Sequence, residues 1–121
     1  MKNVKDQVGA ALLTVSENVT DTYPSSWVKL PAIQYVEEDN KVFERTGNAE
    51  DKAYVRYRID IWNGGSTSKT ALAVDAAIAE LGLVRTSCMD VADPSGLCHK
   101  QMRYEGIIDM HSDIVYWNGG N

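Results

Sequence analysis

The chain has 121 residues, enough to bury one core and too few for two, and its 44% hydrophobic and 24% charged content excludes disordered and fibrous classes. Twelve Lys and Arg against seventeen Asp and Glu leave a net charge of -5, which argues against nucleic acid as a direct ligand, because that affinity comes mainly from basic side chains displacing counterions. No apolar stretch reaches the roughly 20 residues of a bilayer span, and the Met1-Lys2-Asn3-Val4-Lys5-Asp6 start lacks the apolar core of a secretory signal, so an intracellular protein without a membrane partner is expected.

Val4, Val8, Ala11, Leu12, Val15 and Val19 recur at steps of three and four, which predicts an amphipathic helix over residues 3–19 with Asn3 as its N-cap and Gly9 a slight weakness. Thr20 to Ser26 has loop composition. The chain then becomes extended, and Pro31 to Val36 is a first strand, begun on the proline that a strand interior would not accept. Glu37-Glu38-Asp39-Asn40 is an acidic cluster before a second strand over 41–46, with turn material from Gly47 to Asp51. The cluster is either a solvated hairpin edge or an acidic docking loop.

Lys52 to Trp62 carries the clearest strand signal, with Val55, Tyr57, Ile59 and Ile61 on one face and Tyr54, Arg56, Arg58, Asp60 and Trp62 on the other. That second face is either the wet side of a sheet, where Arg stems lie against rings, or part of a contact surface. A hydroxyl residue of Ser66-Thr67-Ser68 caps a helix over 68–81, whose stripe is Ala71, Val74, Ile78 and Leu81 and which Gly82 closes. Leu83 to Ala92 and Leu97 to Met110 read as a hairpin around Asp93-Pro94-Ser95-Gly96. Pairing Ala92 with Leu97 sets Val91 opposite Cys98 and Cys88 opposite Gln101, so the two cysteines are not cross-strand neighbours. Met102, Tyr104, Gly106, Ile108 and Met110 form the apolar face of the last long strand, and Ile114 to Trp117 continues extended before a Gly-Gly-Asn tail. The inventory predicts a single α+β domain over 1–121: a mixed or antiparallel sheet of about four to six strands packed against two α-helices.

The chemistry-bearing residues do not assemble into a motif. Cys88 and Cys98 have no second Cys/His pair at zinc-site spacing, and free thiols are expected over a disulfide or a metal site. Cys98 and His99 are neighbours on a strand and point to opposite faces, which leaves His99 as an exposed hairpin histidine. Gly64-Gly65-Ser66-Thr67-Ser68-Lys69 misses the spacing of a phosphate loop. The acidic cluster lacks the alternate ligands and Gly turn of a calcium loop. No catalytic residue, cofactor or metal ligand is therefore named, and a non-enzymatic protein that binds other proteins is expected.

In their order along the chain, the N-terminal helix, Leu30-Pro31-Ala32-Ile33-Gln34-Tyr35-Val36-Glu37-Glu38-Asp39-Asn40, the strand from Tyr54 to Trp62, the helix from Thr70 to Leu81 and the closing Met102-Arg103-Tyr104-Glu105-Gly106-Ile107-Ile108-Asp109 resemble the tail completion, or tail terminator, proteins of long-tailed bacteriophages and prophages. The resemblance covers most of the chain. It implies a virion structural protein, assembled in the host bacterial cytoplasm, that forms a ring, usually a hexamer, on the head-proximal end of the tail tube. The ring stops tube growth and offers a docking face to the head. The implied partners are further copies of the chain, the major tail tube protein and a head-proximal neck or connector protein, with DNA passing through an acidic ring that does not hold it. Another neck or head–tail joining protein, or a small-molecule-binding α+β domain, are the alternatives. The family supplies no catalytic residues. From physics alone, the expected subunit contacts are the acidic hairpin, with Glu37, Glu38 and Asp39, and the face carrying Tyr54, Arg56, Arg58 and Trp62, because aromatics and Arg beside charged loops favour interfaces.

Overall fold

A computed structural model describes residues 1–117, and the Gly-Gly-Asn tail read from the sequence lies outside them. In chain order the elements are α1 (Lys5–Leu13), β1 (Asn18–Thr20), β2 (Ala32–Thr46), β3 (Ala49–Asn63), α2 (Ser68–Ala79), β4 (Val84–Val91), β5 (Cys98–Asp109) and β6 (Val115–Tyr116). They build the expected α+β architecture: one six-stranded mixed sheet in the order β1-β2-β3-β5-β4, with β6 also on β5. Every pairing is antiparallel except β1 with β2. No helix among the described residues is long and apolar enough to cross a membrane.

β3 is central because its period-two pattern is complete. Val55, Tyr57, Ile59 and Ile61 are fully buried on one face, where they meet Val8 and Leu12 of α1, Val74 and Ile78 of α2, and Met102, Tyr104 and Ile108 of β5 in one apolar cluster. Each such aliphatic side chain contributes about 1.5–3 kcal/mol on burial. Both helices thus cover the same face of the sheet, and two tyrosines tie them down. Val4 donates its N–H to the Tyr57 hydroxyl at 2.9 Å, and the Tyr104 hydroxyl donates to Asp75 of α2 at 2.8 Å.

α1 is shorter than the sequence period predicts. It ends at Leu13, where the Thr14 hydroxyl bonds back to the Ala11 carbonyl at 2.6 Å, an alternative to continued helix that hydroxyl residues supply. Val19 leaves the helical stripe to pair with Ile33 in β1, a short parallel strand the sequence reading missed. Val4, not Asn3, occupies the N-cap position, although the Asn3 side chain accepts the Lys5 N–H at 3.1 Å.

The largest correction concerns β2. Glu37 to Asn40 is not a turn between two strands. One strand runs from Ala32 to Thr46 and absorbs the acidic cluster with register shifts between Glu37 and Asp39 and again between Val42 and Glu44. Only Gly47 and Asn48 separate β2 from β3, and Gly47 takes φ +62°, the left-handed conformation the first position of such a two-residue loop favours. Beyond Asn40 β2 leaves the core and residues 41–49 are all exposed, while Tyr54 and Ala53 of β3, opposite Lys41 and Val42, stay buried between β2 and β5.

The second helix stops at Ala79, and its Ala71, Val74 and Ile78 stripe is buried as expected. Thr67 precedes it without a side-chain cap bond, and Ser66 instead accepts the Ser68 N–H at 3.2 Å. Gly82 has φ +88°, and a Cβ there would sit 2.3 Å from the Val115 carbonyl oxygen, so the turn into β4 and the seat of β6 both require glycine. The β4–β5 hairpin forms one residue out of the expected register: Val91 faces His99 and Cys88 faces Met102. Cys98 instead lies opposite Asn63 of β3, and both thiols are free and exposed.

Candidate functional site

The face of the sheet that carries no helix holds the polar residues of β2, β3 and β5. Register places Arg56 opposite Glu105, Arg58 opposite Arg103, Asp60 opposite Gln101 and Trp62 opposite His99. Like charges directly across a ladder repel, so Arg58 and Arg103 require an anion between them. The bulge in β2 provides it. Glu37 pairs with Tyr57 and Asp39 with Arg56, leaving Glu38 as the extra residue, and a bulge re-aims the side chain it carries.

Glu38 Oε1 accepts from Arg103 Nε at 2.9 Å and from Arg56 Nε at 3.2 Å, and Oε2 lies 3.6 Å from Arg58 Nη1. Burial alone would raise the Glu38 pKa, but the Arg103 hydrogen bond and the charges of Arg103, Arg56 and Arg58 together hold it below the usual 4.5. The chain of bonds then runs along the face. Arg103 donates to Gln101, Gln101 donates to Asp60, and Asp60 also receives Arg58 at 2.7 Å and His99 Nε2 at 2.8 Å.

An aromatic group closes the far end. Trp62 stacks on His99 with ring centres 4.5 Å apart and 16° between planes, and Tyr23 and Trp27 from the 21–31 loop pack against the same indole. Trp62 Nε1 donates to Asp93 at 3.1 Å, and His99 Nδ1 lies 3.5 Å from that same carboxylate. The Ser95 hydroxyl and backbone bonds hold the Asp93 pKa below its usual 3.8, with the Trp62 bond acting in the same direction against burial. At the near end Tyr54 bonds Glu105 and packs against Trp117, and burial plus that carboxylate push its phenol up to about 12.

Of the residues singled out in the sequence, Glu38, Arg56 and Arg58 come together, with Asp39 beside them at the bulge. Glu37 does not join them. It faces the helix side, where Asn40 donates to it at 2.9 Å. Tyr54 and Trp62 are 7% and 2% exposed, so neither offers the open ring expected of an interface aromatic. His99 is likewise not exposed, with a side chain only 9% accessible. Arg103, Gln101, Asp93, Tyr23 and Trp27 were missed. The alternation in β5 carried a signal for Gln101 and Arg103, but pairing them with β3 requires a register that spans some forty residues of intervening chain.

Chemically, this face is a mutually neutralised polar layer. Asp60 orients His99 as an acid–base pair would, yet the other ring nitrogen faces Asp93, not a hydroxyl or thiol, and Cys98 projects to the opposite side of the strand. Among the described residues no group of three or more His, Cys, Asp or Glu side chains could hold a metal ion. No family model matches the sequence, and no curated protein matches it.

Proposed function

We propose that the protein is a bacteriophage virion assembly subunit that caps the head-proximal end of a tail tube as a ring of identical copies, stops tube growth and presents a docking face to the head. The observation that carries this reading is the outer half of the β2–β3 hairpin. Residues 41–49 are exposed, and Val42 and Phe43 hold 46% and 49% of their surface open to solvent. Both side chains stand on the edge strand of the sheet, which β1 pairs only from Ala32 to Gln34, and exposed apolar side chains on such an edge suit a contact made with another protein. The order of elements and the sequence phrases that resemble tail terminators point to which assembly that is. The net charge of -5 suits a ring through which DNA passes without adhering.

The test is electron microscopy of the cognate tail tube protein polymerising with and without this chain. Short tubes with extra density at one end are the expected result. Tubes of unaltered length without bound density would reject the terminator role, and binding to the head connector alone would favour a neck protein.

A further inference from the structure

His99 is a buried titratable side chain that tail capping leaves unused, and its two ring nitrogens stand between two carboxylates. Nε2 lies 2.8 Å from Asp60 Oδ1. Nδ1 lies 3.5 Å from Asp93 Oδ1, is buried, and makes no hydrogen bond within the described residues. A neutral imidazole carries one N–H and one bare lone pair. With the proton on Nε2 the lone pair of Nδ1 points at the Asp93 side, and with the proton on Nδ1 a lone pair faces Asp60 at hydrogen-bond distance. Only the imidazolium, with a donor on each nitrogen, suits both neighbours at once.

The remaining charges around the ring are already placed. Arg58 of β3 holds Asp60 through Oδ2 at 2.7 Å, and Gln101 of β5 donates to Asp60 Oδ1 at 3.1 Å. In the β4–β5 turn, Ser95 donates its N–H and hydroxyl to Asp93 Oδ2. β4 sets the uncharged Val91 opposite His99, while Asp90 and Lys100 alternate to the other face of the sheet and pair with each other. The 21–31 loop meets the group through the rings of Tyr23 and Trp27, and its Asp21 and Lys29 pair with Lys5 and Glu17.

A closed Asp93 contact reaches beyond Nδ1. Asp93 Oδ1 also accepts the Trp62 Nε1–H at 3.1 Å, the indole stacks on His99, and Tyr23 and Trp27 pack on that indole. A positive ring on the indole face is held more strongly than a neutral one. We propose that His99 is a proton-operated latch: with a proton on each nitrogen it donates to Asp60 and Asp93 together, draws the 93–96 turn onto Trp62 and fixes the 21–31 loop that packs there. The proton strengthens contacts made only in the folded chain, so the latch is closed on the acid side and opens as pH rises. The loop it holds exposes Tyr23 and Val28, so the shape of that apolar surface follows the proton.

Long-range proton–nitrogen NMR reads the ring directly, and the other histidine, His111, is 79% exposed and lies by Asp51 instead. Between pH 5 and 8.5, a range that spans the usual charge change of imidazole, His99 is expected to pass from two proton-bearing nitrogens to one, with the Trp62 indole and Ser95 amide signals moving at the same midpoint. Corrected for intrinsic exchange, protection of those two N–H groups should be about tenfold higher on the acid side, the scale of one hydrogen bond to a charged group. His99→Gln should abolish the shift with circular dichroism unchanged. Asp93→Asn should abolish it at Ser95 and in the 21–31 loop while His99 still titrates against Asp60. A ring that keeps one charge state throughout would overturn the latch, as would a His99 titration that leaves Trp62 and Ser95 still, or a shift that survives either substitution.

Discussion

The two halves of the β2–β3 hairpin share a ladder but not an environment. In the inner half, Ile33 of β2 and Ile59 and Ile61 of β3 lie at zero exposure beneath two helices. In the outer half, from Lys41 to Ala49, every residue is exposed, and the strand is held by its pairing with β3 and by contacts such as the ion pair of Lys52 with Glu44 at 3.0 Å and Lys41 over the Tyr54 ring. The boundary falls just past the Glu38 bulge, after Asn40. What separates the halves is therefore packing and not strand propensity, since Val42 and Phe43 are as favourable to a strand as the buried isoleucines.

Breaking the inner half should have the largest effect. Ile59→Ala deletes a fully buried side chain at the centre of the cluster and is expected to cost about 3–4 kcal/mol, read as a lower urea midpoint at constant slope. At the boundary, Glu38→Gln removes the anion that holds Arg56, Arg58 and Arg103 together. The expected loss is about 1–2 kcal/mol, well short of a fully buried pair because the guanidinium groups remain partly solvated. Arg56→Glu with Arg58→Glu, aimed at the subunit contact expected on that face, would break the same network and so confound assembly with folding.

Glu38 also gives the boundary a pH signature. Its folded pKa lies below the usual 4.5, so its contribution is fully present above that value and is lost as pH falls through the depressed one. Asp93, also lowered, acts in the same direction. The melting temperature is expected to change little from pH 7 to about 5 on account of these groups and to fall in more acidic solution. Glu38→Gln should flatten part of that fall, and an unchanged acid limb would show that the arginine cluster is not what Glu38 contributes.

The inner half was legible in the sequence, and the outer half was legible only in part. Alternation over Lys52 to Trp62 gave β3 and its buried face because one helix-covered side demands a strict period of two. The same reasoning divided β2 at Glu37 to Asn40, since four polar residues in a row imitate a turn. A bulge resolves them by sending Glu37 to one face and Glu38 to the other, and the reason to do so, three arginines from two other strands, is invisible without the β3–β5 register. Trp62 and His99 were misjudged for a related reason: the loop residues Tyr23 and Trp27 that cover the Trp62–His99 stack lie more than thirty positions away from Trp62. Local pattern names the strand; long-range pairing decides which of its side chains see water.

The smallest effect on folding is expected in the outer half, and it sharpens the comparison most. Phe43 is 49% exposed and lies outside the apolar cluster, so the cost of Phe43→Ser to monomer stability should stay near the ordinary range for a surface position, about 0.5 kcal/mol. Hydrogen exchange on dilute protein tests the physical claim behind this. Amides of the outer half should exchange about a hundredfold faster than those around Ile59, because ribbon opening does not require the core to open. At concentrations where copies associate, protection that rises in residues 41–46 would put the outer half in the contact between copies. Equal protection in both halves of the dilute monomer would mean that the outer half is stabilised within its own chain.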